Sequence, residues 1–411
     1  MDDVKCVILS KLGMKSLLNM RTTDKYYHNY ISNKKLKERY SVTIFPKNVK
    51  SISEINNGRG IINISYNLVI DKQRCFSVTN LQQIPNIESL QILNKSMSDK
   101  YVQVLTDLKC LVLIDKSKIT TNCISQLTNL QYLRSTKNIL SDGLENLIKL
   151  TNLDVDQKIA SHVISKLTSL TSLNSYELKA DDIKQLTKLT SIRLSHNCDI
   201  DICESLSSLP QLTDLNIGMQ TPVTSKELIY LTMLKKLQLN SYTEIKIGDW
   251  KYLTGLTDLS VTNNIISNEH IKQLTNLTRL KLFNNHCINE PGLRYLTKLI
   301  DLELIDNQTK IYMGFITQLR KLSLNRRSIT SNNELNKLTG LISLDLISND
   351  IITDEGIQNL TRLTKLNLNG NKNITAQGIQ NLTNLQDLIF HNSNITIEAI
   401  NKLLPKLIER M

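Results

Sequence analysis

One pattern of apolar and polar positions recurs through most of this chain, with a period of about 21 residues. Copies of it are LTNLTRLKLFNNHCI (274–288), LTGLISLDLISNDII (338–352) and LTRLTKLNLNGNKNI (360–374), which share the template L-T-x-L-x-x-L-x-L-x-x-N-x-I. The Leu or Ile that opens each L-x-x-L-x-L unit falls at residues 87, 108, 130, 150, 170, 189, 212, 234, 256, 277, 299, 319, 341, 363 and 385. These fifteen units predict fifteen structural repeats stacked on one another.

Each unit contains the signals of a short strand and a turn. In Leu280-Lys281-Leu282 the alternation predicts that both leucines face the interior and that Lys281 faces solvent. Three residues after the second leucine an Asn recurs, whose amide can satisfy main-chain groups that a turn leaves unpaired. The Asn occurs as Asn138, Asn197, Asn264, Asn285, Asn307, Asn349 and Asn371, and is replaced in other units by Lys116, Tyr242 and Arg327.

The second half of each unit predicts a short helix. Segments 141–147 and 353–360 are typical, and Ser141, Thr353 and Thr375 are expected to be N-caps. One strand and one short helix per unit predict an α/β fold. The expected architecture is a curved solenoid with a parallel sheet on its concave side and short helices on its convex side.

Over residues 84–411 the chain resembles the leucine-rich repeat family, through the template described above. Units such as NITAQGIQNLTNLQDLIF (373–390) are similar to the GALA and ribonuclease-inhibitor-like subtypes, which carry a helix on the convex side. The resemblance implies a leucine-rich repeat solenoid. It does not identify a ligand.

Residues 1–40 lack the repeat and predict a small unit of two or three helices. The segment from Ile8 to Ile31 is similar to the F-box pattern, and Asp2, Asp3 and Val4 match its acidic-hydrophobic start. The resemblance implies that this head binds a Skp-type adaptor of a cullin–RING ubiquitin ligase. The residues that would contact the adaptor are Ile8, Leu9, Leu12, Leu17, Leu18 and Tyr27. The alternative is that residues 1–40 only cap the end of the solenoid.

Residues 41–83 connect the head to the clear repeats. Segment 61–70 predicts a strand and the preceding Asn57-Gly58-Arg59-Gly60 predicts a turn. We therefore expect a linker with one or two degenerate repeats that shield the open end of the solenoid.

Charge and composition exclude several classes of protein. The net charge is +12, but residues 1–50 carry +7 of it, so the long repeat region is close to neutral. A nucleic-acid-binding protein usually shows a basic stripe along its working surface. The longest uninterrupted apolar runs are short segments such as 111–114, far below the roughly 18 residues needed to cross a bilayer. We expect neither nucleic-acid nor membrane binding.

The cysteines and the N-terminal segment predict the compartment. The seven cysteines include no C-x-x-C pair, which indicates reduced thiols, and lysines at 5, 11 and 15 interrupt any signal-peptide core. We expect a cytoplasmic or nuclear protein that is not secreted.

The sequence contains no recognisable catalytic motif, whether G-x-S-x-G, Walker loop or G-x-G-x-x-G. His196-x-Cys198 followed by Cys203 is the best metal candidate, but His286-Cys287 repeats its context at another turn, which indicates tolerance of Cys beside the turn. We therefore expect no enzyme activity, no cofactor and no metal.

The concave sheet face is the predicted working surface, because its side chains are not needed for packing. Its outward columns alternate in sign, with Arg279 and Lys281 beside Asp301 and Glu303. Tyr and Arg are enriched in binding hot spots. The candidate partner-binding residues are Tyr132, Arg134, Tyr176, Arg193, Arg279, Lys281, Phe283, Asp301 and Glu303.

These observations lead to two hypotheses. The first is a substrate-recognition subunit of a Skp/cullin/F-box ubiquitin ligase, which would hold a protein substrate on its repeats. The alternative is a non-enzymatic leucine-rich repeat scaffold in which residues 1–40 are only a cap.

Overall fold

The computed structural model describes residues 41–44, 65–70, 87–92, 98–113, 118–136, 139, 141–194, 202–218, 228–240, 247–263, 266–307, 310–325 and 330–403. The predicted helical head, residues 1–40, lies outside these ranges. The chain divides into two compact units, one ending at Ser175 and the other beginning at Tyr176.

The first unit is a ladder of parallel strands in chain order. Its strands are β1 (Ser41–Ile44), β2 (Ser65–Ile70), β3 (Ile87–Ile92), β4 (Cys110–Leu113), β5 (Tyr132–Ser135) and β6 (Asn152–Lys158). Each pairs in parallel with the next. Strand β2 lies inside the predicted segment 61–70, and both β1 and β2 precede the first clear repeat. Strand β7 (Ser172–Tyr176) spans the division between the units.

The second unit continues the same plan. Its strands are β8 (Ser191–Leu194), β9 (Asp214–Ile217), β10 (Lys236–Asn240), β11 (Asp258–Thr262), β12 (Arg279–Phe283), β13 (Asp301–Ile305), β14 (Lys321–Asn325), β15 (Ser343–Asp345), β16 (Lys365–Asn367) and β17 (Asp387–Ile389). From β8 to β17, each strand again pairs in parallel with its successor. Strands β3–β17 thus confirm one strand for each of the fifteen predicted units.

Short helices connect the strands. In the first unit they are α1 (Asp99–Val102), α2 (Thr121–Ser125) and α3 (Ser161–Ile164), with a 3₁₀ helix at Ser141–Leu144. In the second they are α4 (Ala180–Lys184), α5 (Ile202–Ser205), α6 (Asn268–Ile271), α7 (Glu290–Leu293), α8 (Asn332–Asn336), α9 (Asp354–Ile357), α10 (Ala376–Ile379) and α11 (Ile397–Leu403), with 3₁₀ helices at Leu206–Ser208 and Ile247–Leu253. The predicted short helices are confirmed in most coils, at four to seven residues each for the α-helices, but residues 310–320 between β13 and β14 form turns without a helix.

The predicted N-caps differ in outcome. Thr375 precedes α10, and its hydroxyl accepts a hydrogen bond from the N–H of Gln377 at 3.2 Å, as expected of an N-cap. Thr353 occupies the N-cap position of α9, but its hydroxyl accepts from Asn332 Nδ2 in the preceding coil. The prediction for Ser141 was wrong: it is the first residue of a 3₁₀ helix, and its hydroxyl accepts from the N–H of Ala160.

The core consists of stacked leucine layers. In the coil that contains β12, Leu274, Leu277, Leu280 and Leu282 are fully buried, whereas Lys281 between the last two is half-exposed. Burying one such side chain stabilises the fold by roughly 1.5–3 kcal/mol. Because every coil repeats these four positions, the core is built from many small equal layers and needs few large aromatic rings.

In several turns of the second unit one residue lies in the left-handed region directly before the recurrent Asn. Asn284, Asp306, Ser348 and Gly370 have φ values of 51°, 53°, 51° and 72°. Asn and Asp tolerate this conformation better than most residues, and Gly adopts it without strain. The turn chemistry predicted from the sequence is therefore present.

The turn asparagines at 285, 307, 349 and 371 are fully buried. Asn349 Oδ1 accepts from the N–H groups of Ile351 and Ile352, both at 3.1 Å, while its Nδ2 donates to the carbonyl of Leu324 at 2.9 Å. Asn371 Oδ1 likewise accepts from the N–H groups of Asn373 and Ile374, while its Nδ2 donates to the carbonyl of the preceding turn residue, Asn349. Each amide thus closes its own turn and links it to the preceding coil.

Candidate functional site

The solvent face of strands β11, β12 and β13 brings together five of the nine predicted partner-binding residues. The strands are in register, so that Asp258, Arg279 and Asp301 form one row, and Lys281 and Glu303 lie side by side in the next. Phe283 pairs with Ile305 in the third row. We call these seven residues the charged sheet face.

Arg279 lies at the centre of the first row and bridges both neighbouring strands. Its Nη1 donates to Asp258 Oδ2 at 2.9 Å and its Nε donates to Asp301 Oδ2 at 3.0 Å. These interactions, led by the hydrogen bond to Asp301, raise the pKa of the Arg279 guanidinium. The planar guanidinium is therefore fixed in one orientation, with its charge offset by two carboxylates.

The second row contains a shorter ion pair. Lys281 Nζ lies 2.6 Å from Glu303 Oε2. Further along the sheet, burial raises the pKa of the Asp345 carboxyl, and the negative charge of Glu303 contributes to that shift. In this row the cation Lys281 lies on β12, and the carboxylates of Glu303 and Asp345 lie on β13 and β15.

The third row adds an apolar contact area. Phe283 and Ile305 are both half-exposed and are register partners on β12 and β13. Thr262 on β11 is the register partner of Phe283 on its other side. A ring and an aliphatic side chain thus lie directly beside ordered ion pairs, an arrangement typical of a hot spot with a polar rim.

A polar network extends the ordered surface towards β9. Asn216 Nδ2 donates to Gln238 Oε1 at 3.0 Å, Gln238 Nε2 donates to Asn240 Oδ1 at 3.4 Å, and the Thr262 hydroxyl donates to the same Asn240 oxygen at 3.3 Å. These hydrogen bonds order the four side chains in the absence of a partner.

The first unit holds two further predicted residues on β5. Arg134 is exposed and its Nε lies 3.2 Å from Asp154 Oδ2 on β6. Burial raises the pKa of the adjacent Tyr132 hydroxyl, and Asp154 adds to that shift. Tyr132, Arg134 and Asp154 therefore form a small surface of their own.

The two remaining predicted residues lie at the start of the second unit. Tyr176 is half-exposed at the end of β7, and Arg193 is exposed on β8 in register with Asn216. Neither contributes to the charged sheet face. The F-box-like residues Ile8, Leu9, Leu12, Leu17, Leu18 and Tyr27 lie outside the described residues.

Within the described ranges, no three His, Cys, Asp or Glu side chains are grouped as a metal site. His196 and Cys198 lie outside these ranges. Cys123 is buried, and burial, followed by the charge of Asp99, raises the pKa of its thiol to about 12. A thiol held in its neutral form is a poor nucleophile.

Two members of the charged sheet face, Asp258 and Ile305, were not among the predicted partner-binding residues. The repeat spacing already places Asp258 in the same outward column as Arg279, because each lies two residues after a unit-opening leucine, Leu256 or Leu277. Its importance follows from the register, since one Arg between two acidic neighbours can bind both at once.

No protein-family model and no curated protein sequence matches this chain. Solved structures of other proteins do match it. A leucine-rich repeat protein of Leptospira interrogans is 24% identical, with a TM-score of 0.52, and the match covers 90% of this chain and 98% of that one. An internalin of Listeria monocytogenes is 23% identical over 84% of this chain and 95% of its own, with a TM-score of 0.46.

The match to the Leptospira interrogans protein and the strand ladders agree on the fold, which is that of leucine-rich repeat proteins. This match extends to the fold alone, so the F-box-like head and the GALA-like subtype stay predictions. No helix in the described part of the chain is long and apolar enough to span a bilayer.

Proposed function

We propose that this protein is a non-enzymatic scaffold that binds another protein through its charged sheet face. One observation carries the proposal: the Phe283–Ile305 contact area lies beside an Arg279 that two carboxylates hold in place and a Lys281–Glu303 ion pair. Aromatic and Arg side chains in a fixed arrangement are what protein hot spots use.

The fixed arrangement lowers the cost of binding. A partner does not have to immobilise Arg279 or Lys281, because each is already held by a carboxylate on a neighbouring strand. Ordering a long, flexible side chain at an interface costs about 0.5–1.5 kcal/mol. The alternating charges favour a protein of complementary pattern over a polyanion.

Photo-crosslinking tests this surface. A photoreactive phenylalanine analogue replaces Phe283 in the full chain, and a matched chain carries it at the exposed Thr383, away from the sheet face. The proposal expects a discrete crosslinked partner from position 283 and none of that mass from position 383. Equal crosslinking from both positions would overturn it.

The finer form of the proposal is a ubiquitin-ligase adaptor. It is supported by the F-box-like segment 8–31 placed ahead of leucine-rich repeats. The head would bind a Skp-type adaptor in the cytoplasm or nucleus, and the repeats would hold a substrate near the charged E2 enzyme. Such an adaptor supplies proximity, which raises the effective concentration of substrate lysines.

A pull-down of the full chain from eukaryotic lysate, blotted for the Skp adaptor and cullin, tests the finer form. We expect wild type to capture both proteins and an Ile8→Asp/Leu9→Asp double variant to capture neither, with both folded by circular dichroism. If folded wild type captures no adaptor, the scaffold proposal stands alone with residues 1–40 as a cap.

A further inference from the structure

A column of exposed aromatic side chains lies away from the sheet face, at one repeat position of the second unit. Tyr230, Tyr252, Tyr295 and Phe315 each precede by six residues the first residue of a strand, from β10 to β14. Those strand residues are register partners in turn, so the four aromatics occupy equivalent positions of stacked coils. We call them the aromatic column.

The column is exposed to an extent that is unusual for its residue types. The four side chains are 57%, 42%, 52% and 37% exposed, in chain order. Aromatic residues make up only 5% of this chain, so four at one exposed position are a concentration rather than a background. Met233 and Ile300, in the coils of Tyr230 and Tyr295, are also exposed, at 54% and 46%.

The column is confined to these coils. Only Gln273 interrupts it, in the coil of β12. In the following coils the same position holds Lys337, Asn359 and Asn381, and in the first unit it holds Gln126, Asn146 and Lys166. The repeat fold therefore does not require an aromatic residue here, and the packing of the core does not explain it.

Basic residues accompany the aromatics. Lys251, Lys272 and Arg294 directly precede the column position in three successive coils, and Lys298 lies three residues after Tyr295. Lys272 and Arg294 are ion-paired with Glu269 and Glu290 of their own coils. In the part of the chain that the structure describes, neither Lys251 nor Lys298 is paired with a carboxylate, so the patch keeps a positive surplus.

Cation–π and hydrogen-bond contacts order the side chains around the aromatic column. The Arg294 guanidinium lies 5.0 Å from the centre of the Phe315 ring of the next coil, and Lys251 Nζ lies 5.0 Å from the ring of Tyr252. Lys298 Nζ donates to Asn276 Oδ1 at 2.6 Å, and Asn276 Nδ2 donates to the carbonyl of Thr254 at 2.9 Å. The Arg294–Phe315 cation–π contact and the two hydrogen bonds thus link neighbouring coils.

We propose that the aromatic column binds an extended acidic segment of a partner protein, one that alternates carboxylates with apolar side chains. Carboxylates complement Lys251 and Lys298, and the apolar side chains pack on the Tyr and Phe rings and on Met233 and Ile300. Glu269 and Glu290 at the same edge disfavour a phosphate backbone. This surface is independent of the charged sheet face, so the chain can hold two protein partners at once.

The dimensions suit a short peptide. Five coils at a strand spacing of about 4.8 Å span roughly 20 Å, and an extended peptide covers that length in about six residues. Three or four aromatic anchors with two unpaired lysines are sufficient for a weak to moderate interaction of this size.

Fluorescence anisotropy with the full chain tests the proposal. The probes are a labelled peptide of about twelve residues that alternates Glu with Leu and Phe, its Lys-for-Glu counterpart, and an oligothymidine of similar length. The variants are Tyr252→Ser/Tyr295→Ser and Lys251→Glu/Lys298→Glu. The matched control is Ile148→Ser/Ile351→Ser, which removes two exposed apolar side chains elsewhere.

We expect saturable binding of the acidic peptide. Both the tyrosine and the lysine double variant should weaken it at least about tenfold, and the isoleucine control less than about twofold. A Phe283→Ser variant should bind the peptide like wild type, which separates this result from the scaffold proposal. Three results would overturn the proposal: no saturable binding below about 1 mM, equal binding of the basic peptide, or tighter column-dependent binding of oligothymidine. Circular dichroism confirms that each variant is folded.

Discussion

The main-chain N–H of Asn285 donates a 2.7 Å hydrogen bond to Oδ1 of Asn307, the residue that occupies the same position in the next coil. Both side chains are fully buried. Asn285 in turn donates from Nδ2 to the carbonyls of Asn263 and Ile266, at 3.0 and 3.1 Å. The recurrent Asn therefore links neighbouring coils by hydrogen bonds, in addition to its role in the turn.

Replacing one of these asparagines should destabilise the fold strongly. Asn349→Ala removes three hydrogen bonds and leaves the N–H of Ile352 and the carbonyl of Leu324 buried without their partner, together with the half-buried N–H of Ile351. We expect a loss of about 2–4 kcal/mol in the free energy of unfolding, measured by urea denaturation. Asn384→Ala is the control, because exposed Asn384 makes one bond to the Thr361 carbonyl and should cost less than about 1 kcal/mol. Equal losses would contradict this account of the turn.

The half-buried Asp345 predicts a pH dependence of stability. Burial raises its pKa in the folded state above the unfolded value, so the folded state holds the proton more tightly. Its contribution to stability is therefore present at low pH and is lost as the pH rises through these two values. Asp345→Asn should raise the free energy of unfolding at pH 7 by less than about 1 kcal/mol.

This gain should disappear below about pH 4, where the carboxyl is protonated in both states. Urea denaturation of wild type and variant across pH 3–8 measures it, at about half-unit steps. The effect should shrink in a Glu303→Gln background, because Glu303 contributes to the shift. A stability difference that does not change with pH would contradict the assignment.

Two cysteines should differ sharply in reactivity. Cys123 is buried with a pKa of about 12, whereas Cys287 is exposed. Because the thiolate is the reactive species, iodoacetamide at pH 8 should modify Cys287 rapidly and leave Cys123 unmodified until the chain unfolds. Peptide mass spectrometry of native and urea-treated protein measures both sites. Rapid native labelling of Cys123 would show that its coil opens.

Much of the fold could be predicted from the sequence because the repeat encodes it locally. The Leu280-Lys281-Leu282 alternation sets a strand, and the Asn285 position sets the turn that ends it. The proximity of Arg279 and Lys281 to Asp301 and Glu303 also followed from the repeat period. These inferences need no long-range information, since neighbouring coils align residues at equal spacing.

Other features depended on the three-dimensional arrangement. The hydrogen bonds from Arg279 to both Asp258 and Asp301 require the side-chain geometry of three strands. The hydroxyl of Ser141 bonds to the next coil rather than capping a helix, because the local chain forms a 3₁₀ turn. The sequence places the aromatic column six residues before strands β10, β11, β13 and β14. The sequence alone does not distinguish these exposed positions from core positions, because the exposure of each side chain depends on the fold.

Deleting residues 1–40 distinguishes the two forms of the proposed function. As an adaptor-binding head, the segment is dispensable for the repeats, so the truncated chain should keep its far-UV circular dichroism and cooperative unfolding while losing the Skp adaptor in pull-downs. As a cap, its loss exposes apolar core, and the truncated chain should aggregate or unfold at lower urea concentration. Size-exclusion chromatography and urea denaturation of both chains decide between them.

The charged sheet face is the central claim, and quantitative affinity capture tests it most directly. Wild type, Lys281→Ala/Phe283→Ser and Lys365→Ala/Ile389→Ser are compared as baits in the same lysate, the last being a matched pair on strands β16 and β17 of the same sheet. The account predicts at least one protein that wild type and the control capture equally and that the Lys281→Ala/Phe283→Ser bait loses by about tenfold or more. Identical capture by all three folded baits would contradict it.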